Sequence, residues 1–104
     1  MIKSYDDILE LWTITVDADI DLNNVPKLKE IMLECIDENQ SDIMLDCSEM
    51  PYIDSTGLGV LVSINKKVKE YDGNIIITGL KPHIKRIFTI TGLESIFVIN
   101  DEEG

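Results

Sequence analysis

At 104 residues the chain has room for one domain, residues 1–104, and its 44% hydrophobic content fits a soluble globular protein better than a disordered one. Twenty acidic against nine basic residues give a net charge of -11. That opposes binding to nucleic acid or to an anionic membrane surface, and its use is either plain solubility or a partner with a basic surface. No apolar run approaches the roughly 20 residues of a membrane helix. Met1–Asp7 lacks the apolar stretch of a signal peptide, so the expected compartment is the cytoplasm.

Asp6-Asp7 reads as a turn between two strands, Ile2–Tyr5 and Ile8–Val16. In the second, Trp12, Ile14 and Val16 alternate with Leu11, Thr13 and Thr15, which is the period of a strand with one buried face. The two strands predict an antiparallel hairpin. Asp17–Asn24 is a polar, acidic loop interrupted by Ile20 and Leu22. Pro26 suits the first turn of a helix and Asn24 is a candidate cap. Val25, Leu28, Ile31, Met32, Cys35 and Ile36 follow at helical spacing, and this helix should end near Glu38–Gln40.

Ile43-Met44-Leu45 and Ile75-Ile76-Ile77 are short and wholly apolar, which predicts strands buried on both faces. Between them, Ser55–Tyr71 predicts a helix with Leu58, Leu61, Val62, Asn65 and Val68 on its apolar side and lysines in its last turns. Asp72-Gly73-Asn74 is a turn. Pro82 opens a third helix with Ile84, Ile87, Phe88 and Ile90 inward, and Gly92 stands where helices end. Ile96–Ile99 is the last strand, and Asp101–Gly104 is an acidic tail. The order β-β-α-β-α-β-α-β predicts an α/β fold: a mixed sheet, mostly parallel, with an N-terminal antiparallel hairpin and packed helices. Function in such sheets gathers at loops leaving the carboxyl ends of strands, here Asp17–Asn24 and Met50–Gly59.

Asp54-Ser55-Thr56-Gly57-Leu58-Gly59 is the most informative stretch. Asp54 or Ser55 can cap the helix that follows. Gly57 and Gly59 each cost that helix about 1 kcal/mol, which suggests that something must approach the backbone closely. Two readings stand side by side. In one, this is an ordinary cap with glycines packed on the sheet. In the other, Ser55 carries a phosphate, an anion that suits a helix N-terminus.

Catalytic readings find little support. Ser55 is preceded by Ile53-Asp54, so the nucleophile elbow G-x-S-x-G is absent. His83, the single histidine, is expected to be an exposed first-turn residue. Cys35 and Cys47 read as buried free thiols, with no metal-ligand spacing. Gly57-Leu58-Gly59 begins a GxG, but Val62 stands where GxGxxG needs its third glycine.

The sequence resembles the stand-alone STAS proteins, the anti-sigma factor antagonists of bacterial stress response and sporulation. The resemblance covers nearly the whole chain and is strongest at Ile43-Met44-Leu45-Asp46 and Tyr52-Ile53-Asp54-Ser55-Thr56-Gly57-Leu58-Gly59. Ile84-Lys85-Arg86-Ile87-Phe88 with Thr91-Gly92-Leu93 adds to it. Where the family has Gly-Glu-Leu/Ile-Asp in its first long loop, this chain has Ala18-Asp19-Ile20-Asp21. The chain also stops soon after its last predicted strand, where many relatives carry a final helix.

The resemblance implies a phosphorylation site at Ser55 and a partner-binding surface of Asp19, Asp21, Asp54, Thr56, Gly57, Leu58 and Gly59. It implies no cofactor, metal or catalytic residue. The partners would be an anti-sigma factor serine kinase of histidine-kinase-like ATPase fold and a PP2C-type serine phosphatase, and the protein would act as a monomer. Unphosphorylated, it would hold the kinase and free a sigma factor; phosphorylated, it would let go. The alternative is a STAS scaffold or binding subunit in another signalling or transport assembly, without a working phosphoswitch. Alanine at Asp21 is expected to weaken kinase binding with little change in thermal stability.

Overall fold

Alternating residues of Ile2–Asp6 (β1) and Leu11–Thr15 (β2) close the antiparallel hairpin in the computed structural model, which describes residues 1–100. Trp12 and Ile14 point into the core, and Val16 continues the row just past β2. Tyr5 stands opposite Trp12 with ring centroids 4.8 Å apart, and the Trp12 indole N–H donates to the Asn39 carbonyl at 2.9 Å. The turn is longer than the sequence suggests. The Asp6 carboxylate accepts the backbone N–H of both Ile8 and Leu9 at 2.9 Å, and Glu10 adopts a positive φ of 54°. Ile8 and Leu9 therefore lie exposed in the turn and do not open the second strand.

Beyond the hairpin, strands alternate with helices: Val25–Glu38 (α1), Asp42–Asp46 (β3), Ser55–Lys69 (α2), Ile75–Thr78 (β4), Pro82–Thr91 (α3) and Val98–Asn100 (β5). A single 3-10 turn, Leu93–Ser95, precedes β5, so the last strand starts two residues later than expected. The five strands described lie in the order β1-β2-β3-β4-β5, the first pair antiparallel and the rest parallel. The expected acidic tail, Asp101–Gly104, lies outside the described residues.

Each parallel neighbour is reached by one crossover in the same direction. Right-handed crossovers of that kind deliver their helices to one face of the sheet. Burial follows this. Ile14, Ile43, Leu45, Ile75 and Ile77 are at most 1% exposed, while Thr13, Thr15, Met44, Asp46, Ile76 and Thr78 between them keep contact with solvent. The registers Thr13↔Met44↔Ile76 and Thr15↔Asp46↔Thr78 make these one continuous face. The expectation that β3 and β4 are buried on both faces is therefore corrected. Their apolar runs show no alternation in sequence, yet only every second side chain meets a helix.

The helices close the core. From α1, Val25, Leu28, Ile31, Met32 and Cys35 are buried, as their spacing predicts. From α2 the buried set is Gly57, Leu58, Leu61, Ile64, Asn65 and Val68; Ile64 takes the place expected of Val62, which is only partly covered. From α3, Ile84 and Phe88 are buried, with Phe88 edge-on to Phe97 at 6.0 Å. Ile90, expected inward, is 76% exposed. Gly92 ends α3 in the left-handed region at φ 76°, as its position suggests. Among the described residues no helix is long and apolar enough to cross a membrane.

Candidate functional site

The loops that follow β2 and β3 meet beyond the carboxyl ends of those strands. The Ile20 N–H donates to the Tyr52 carbonyl at 2.8 Å, and the Asp54 N–H donates to the Ile20 carbonyl at 3.2 Å. This makes an isolated parallel bridge between Ile20 and Ile53, whose side chains are 0% and 2% exposed. Side chains alternate along extended chain, so the neighbours Asp19, Asp21, Tyr52 and Asp54 turn away from the core. Asp19, Asp21 and Asp54 are half-buried and Tyr52 is exposed.

Past the bridge the chain turns at once into α2. Asp54 has extended backbone, its carboxylate accepts the Gly57 N–H at 3.0 Å, and its carbonyl accepts the Leu58 N–H at 3.0 Å. Of the two cap candidates it is therefore Asp54 that caps, at a worth of about 1 kcal/mol. Ser55 is left as the first helical residue, exposed, with Thr56 exposed beside it.

The two glycines do different things. A β-carbon on Gly57 would stand 2.7 Å from Ile20 Cγ2, 2.8 Å from the Ile20 carbonyl oxygen and 2.8 Å from Ile53 Cγ1. The close approach inferred from sequence is thus made by the protein itself: α2 is pressed against the bridged loops. A β-carbon on Gly59 would meet nothing within 4 Å. Gly59 lies one turn after Ser55 on the same side of the helix and is exposed, leaving a bare shelf next to the hydroxyl.

The first loop holds a surprise at Asp21. Its carboxylate accepts the N–H of Asn23 and of Asn24, each at 3.0 Å, and its carbonyl accepts the Val25 N–H at 2.8 Å. Asn24, the expected cap of α1, makes no side-chain cap; its amide donates to the Asp19 carbonyl at 2.9 Å. Asp21 therefore organises the entry to α1, and these bonds argue that alanine there carries a stability cost, against the little change expected from sequence.

Of the residues expected on a partner surface, the structure brings Asp19, Asp21, Asp54, Ser55, Thr56 and Gly59 to one end of the sheet with solvent access. Gly57 and Leu58 are buried, Leu58 at 8% exposure; they hold the platform and do not present side chains. Residues 48–65 contain no Lys or Arg, and neither does 17–24; Lys81 reaches the Ser48 carbonyl at 2.9 Å and the Met1 ammonium pairs with Asp17 at 3.3 Å, so the surface is mostly but not wholly acidic. Sequence reasoning passed over Leu22 and Tyr52, which are 71% and 49% exposed on the two bridged loops. The signal in the sequence is weak, because each loop also carries apolar residues that turn inward, Ile20 in one and Met50 and Ile53 in the other.

The other chemically able groups lie elsewhere. Burial pushes the Cys35 thiol up to about 11 and the Cys47 thiol up to about 12, so neither is a thiolate at neutral pH. His83 is exposed in the first turn of α3, as expected. Among the described residues no group of three or more His, Cys, Asp or Glu is placed to hold a metal ion.

A model of the STAS domain matches residues 1–104. An anti-sigma-B factor antagonist of Staphylococcus epidermidis is 33% identical over 92 residues, which is 88% of this chain and 85% of that protein. The crystal structure of an anti-sigma factor antagonist from Mycobacterium paratuberculosis has a TM-score of 0.80 at 21% identity, covering 94% of this chain and 81% of that one. The Bacillus cell fate determinant SpoIIAA in its phosphorylated form has a TM-score of 0.72 at 17% identity, covering 96% of this chain and 90% of that one. These structural likenesses concern the fold.

Two sets of substitutions check the site's construction. Gly57→Ala should lower stability by roughly 1–3 kcal/mol, the usual range for forced overpacking. Gly59→Ala should raise it by up to about 1 kcal/mol through helix propensity. Thermal melts of the two proteins read the difference, and equal effects would contradict the packing described. Asp21→Ala should cost about 1 kcal/mol, whereas Asp21→Asn, whose amide oxygen can still accept both N–H groups, should stay near the parent melting temperature.

Proposed function

The chain belongs to the STAS domain family, and we propose that it acts there as an anti-sigma factor antagonist switched by phosphorylation of Ser55. The observation that carries this is the division of labour at the start of α2. Asp54 provides the cap, so the Ser55 hydroxyl is exposed and not needed to hold the helix. Gly59 leaves the space beside it open to an incoming active site.

In this reading the unphosphorylated protein docks on an anti-sigma factor serine kinase of histidine-kinase-like ATPase fold and thereby releases a sigma factor. The kinase then transfers the γ-phosphoryl of its own ATP to Ser55. The Oγ–P bond forms as the bond to ADP breaks, and the hydroxyl proton passes to a base of the kinase. A PP2C-type phosphatase reverses the step by hydrolysis. The protein is a substrate in this cycle and not a catalyst, and it works as a cytoplasmic monomer without a cofactor.

The physics is adequate to the task. A phosphate at Ser55 adds about -1.5 to -2 charge. The N-terminus of α2 tolerates it, because the helix dipole and free N–H groups favour an anion there. The effect falls on the docking surface. Asp19, Asp21 and Asp54 already make that end acidic, and an uncompensated charge buried at an interface costs on the order of 3–5 kcal/mol. That is roughly a 10²- to 10⁴-fold loss of affinity. The phosphorylated SpoIIAA structure belongs to a protein of the same fold and fits such a cycle.

Baits carrying Ser55→Ala and Ser55→Asp, incubated with lysate of the source organism, test the proposal. A serine kinase of the histidine-kinase-like ATPase type should be held by the Ala bait and lost from the Asp bait. A common non-kinase partner held equally by both would make this a STAS scaffold of another kind.

A further inference from the structure

Scattered exposed apolar side chains are normal on any protein surface. Ile2, Ile8 and Leu9 on the hairpin and Ile90 on α3 are of this kind, exposed at 72%, 89%, 67% and 76%. Leu22 and Tyr52 differ in their placement. Leu22 lies two residues beyond Ile20, and Tyr52 is one residue before Ile53 and supplies the carbonyl that binds Ile20. The bridge therefore brings these two side chains to the same end of the sheet as Ser55. They stand among Asp19, Asp21 and Asp54, with no Lys or Arg in either loop.

Resting on the kinase-docking function proposed above, we infer that Leu22 and Tyr52 are the apolar anchors of that docking surface. They fit a partner surface with an apolar pocket rimmed by Arg or Lys. Three observations choose this occupant over others. The rim is mostly acidic, with Asp19, Asp21 and Asp54 on it, Lys81 held on the Ser48 carbonyl and the Met1 ammonium paired with Asp17 at its margins, so its complement is basic. A second copy of this chain would bring carboxylates against carboxylates, which opposes self-association here. The two side chains also lie on loops at the same end of the sheet as Ser55, so one surface would both bind the kinase and present its substrate hydroxyl. An aromatic ring and a leucine supply desolvated contact area, while the carboxylates steer encounter and set register. The phosphate then acts at the edge of an apolar contact, where its desolvation is most costly.

The inference also explains why both loops are fixed so firmly. An anchor gives affinity only if little side-chain and loop freedom remains to be lost on docking. The bridge and the tight contact of Gly57 with Ile20 hold both loops before any partner arrives.

The test is a calorimetric titration of the recombinant serine kinase retained by the Ser55→Ala bait into the full chain and four variants: Leu22→Ser, Tyr52→Ser, Leu9→Ser and Ser55→Asp. Leu22→Ser and Tyr52→Ser should each weaken binding roughly tenfold or more, at unchanged melting temperature. Leu9→Ser, an equally exposed leucine at the opposite end of the sheet, should bind like the parent. If Ser55→Asp weakens binding and the Leu22 and Tyr52 variants do not, the anchor assignment is overturned while the phosphoswitch stands. If Ser55→Asp binds like the parent, the switch fails, and the two apolar variants still decide the anchors. Sedimentation of the parent covers the remaining occupant. A concentration-dependent dimer abolished by Leu22→Ser or Tyr52→Ser would assign the patch to a second copy and overturn the inference.

Discussion

A pair of backbone hydrogen bonds between Ile20 and the Tyr52–Asp54 segment ties together the end of this molecule that carries the candidate site. Two loops that leave neighbouring parallel strands would otherwise move independently. The bridge pins them, and the buried Ile20 and Ile53 side chains anchor it to the core. Gly57 then lets α2 press directly on the bridge, because no β-carbon intervenes. The position of Ser55 follows from this contact: it is the first residue of a helix whose start is fixed by the strand before it, the cap on it and the loop beneath it. The identity of Gly57 and the identity of the exposed serine are parts of one construction.

That construction suits a switch that acts by charge alone. The cap belongs to Asp54, so modifying Ser55 removes no internal hydrogen bond seen in the cap geometry. The helix end favours an added anion, while the acidic residues around it do not favour an anionic, crowded interface. The two effects act on different objects, one on the fold and one on the complex. A modification can therefore change partner choice strongly while leaving the folded state nearly as it was. The one-sided sheet is compatible with this economy: the helices cover one face, and the proposed functional surface lies at the strand ends, where loops and helix starts converge.

Much of the fold was legible in the sequence, for identifiable reasons. The hydrophobic spacing of α1 and the alternation of β2 report burial on one side of a regular element, and both read correctly. Asp54-Ser55-Thr56-Gly57-Leu58-Gly59 is legible because a cap and two glycines break helical preference in one turn. Other features leave no local trace. Ile43-Met44-Leu45 and Ile75-Ile76-Ile77 have no polar residue to mark the outward position, so the open sheet face is invisible in them. The exchange of roles between Asn24 and Asp21 is equally silent, since either residue can bond a nearby N–H. The bridge joins residues 33 apart in the chain, a pairing set by the sheet and not by neighbouring sequence. Without it, nothing in the local sequence brings Leu22 and Tyr52 to the same end of the sheet as Ser55.

The most direct measurement is the affinity of the purified serine kinase for two preparations of this protein, one unmodified and one stoichiometrically phosphorylated, with the modified residue mapped by mass spectrometry. The account predicts phosphate on Ser55 and a roughly 10²- to 10⁴-fold weaker complex, with far-UV circular dichroism unchanged. Equal affinity of the two forms, or phosphate accepted only at another residue, would contradict it.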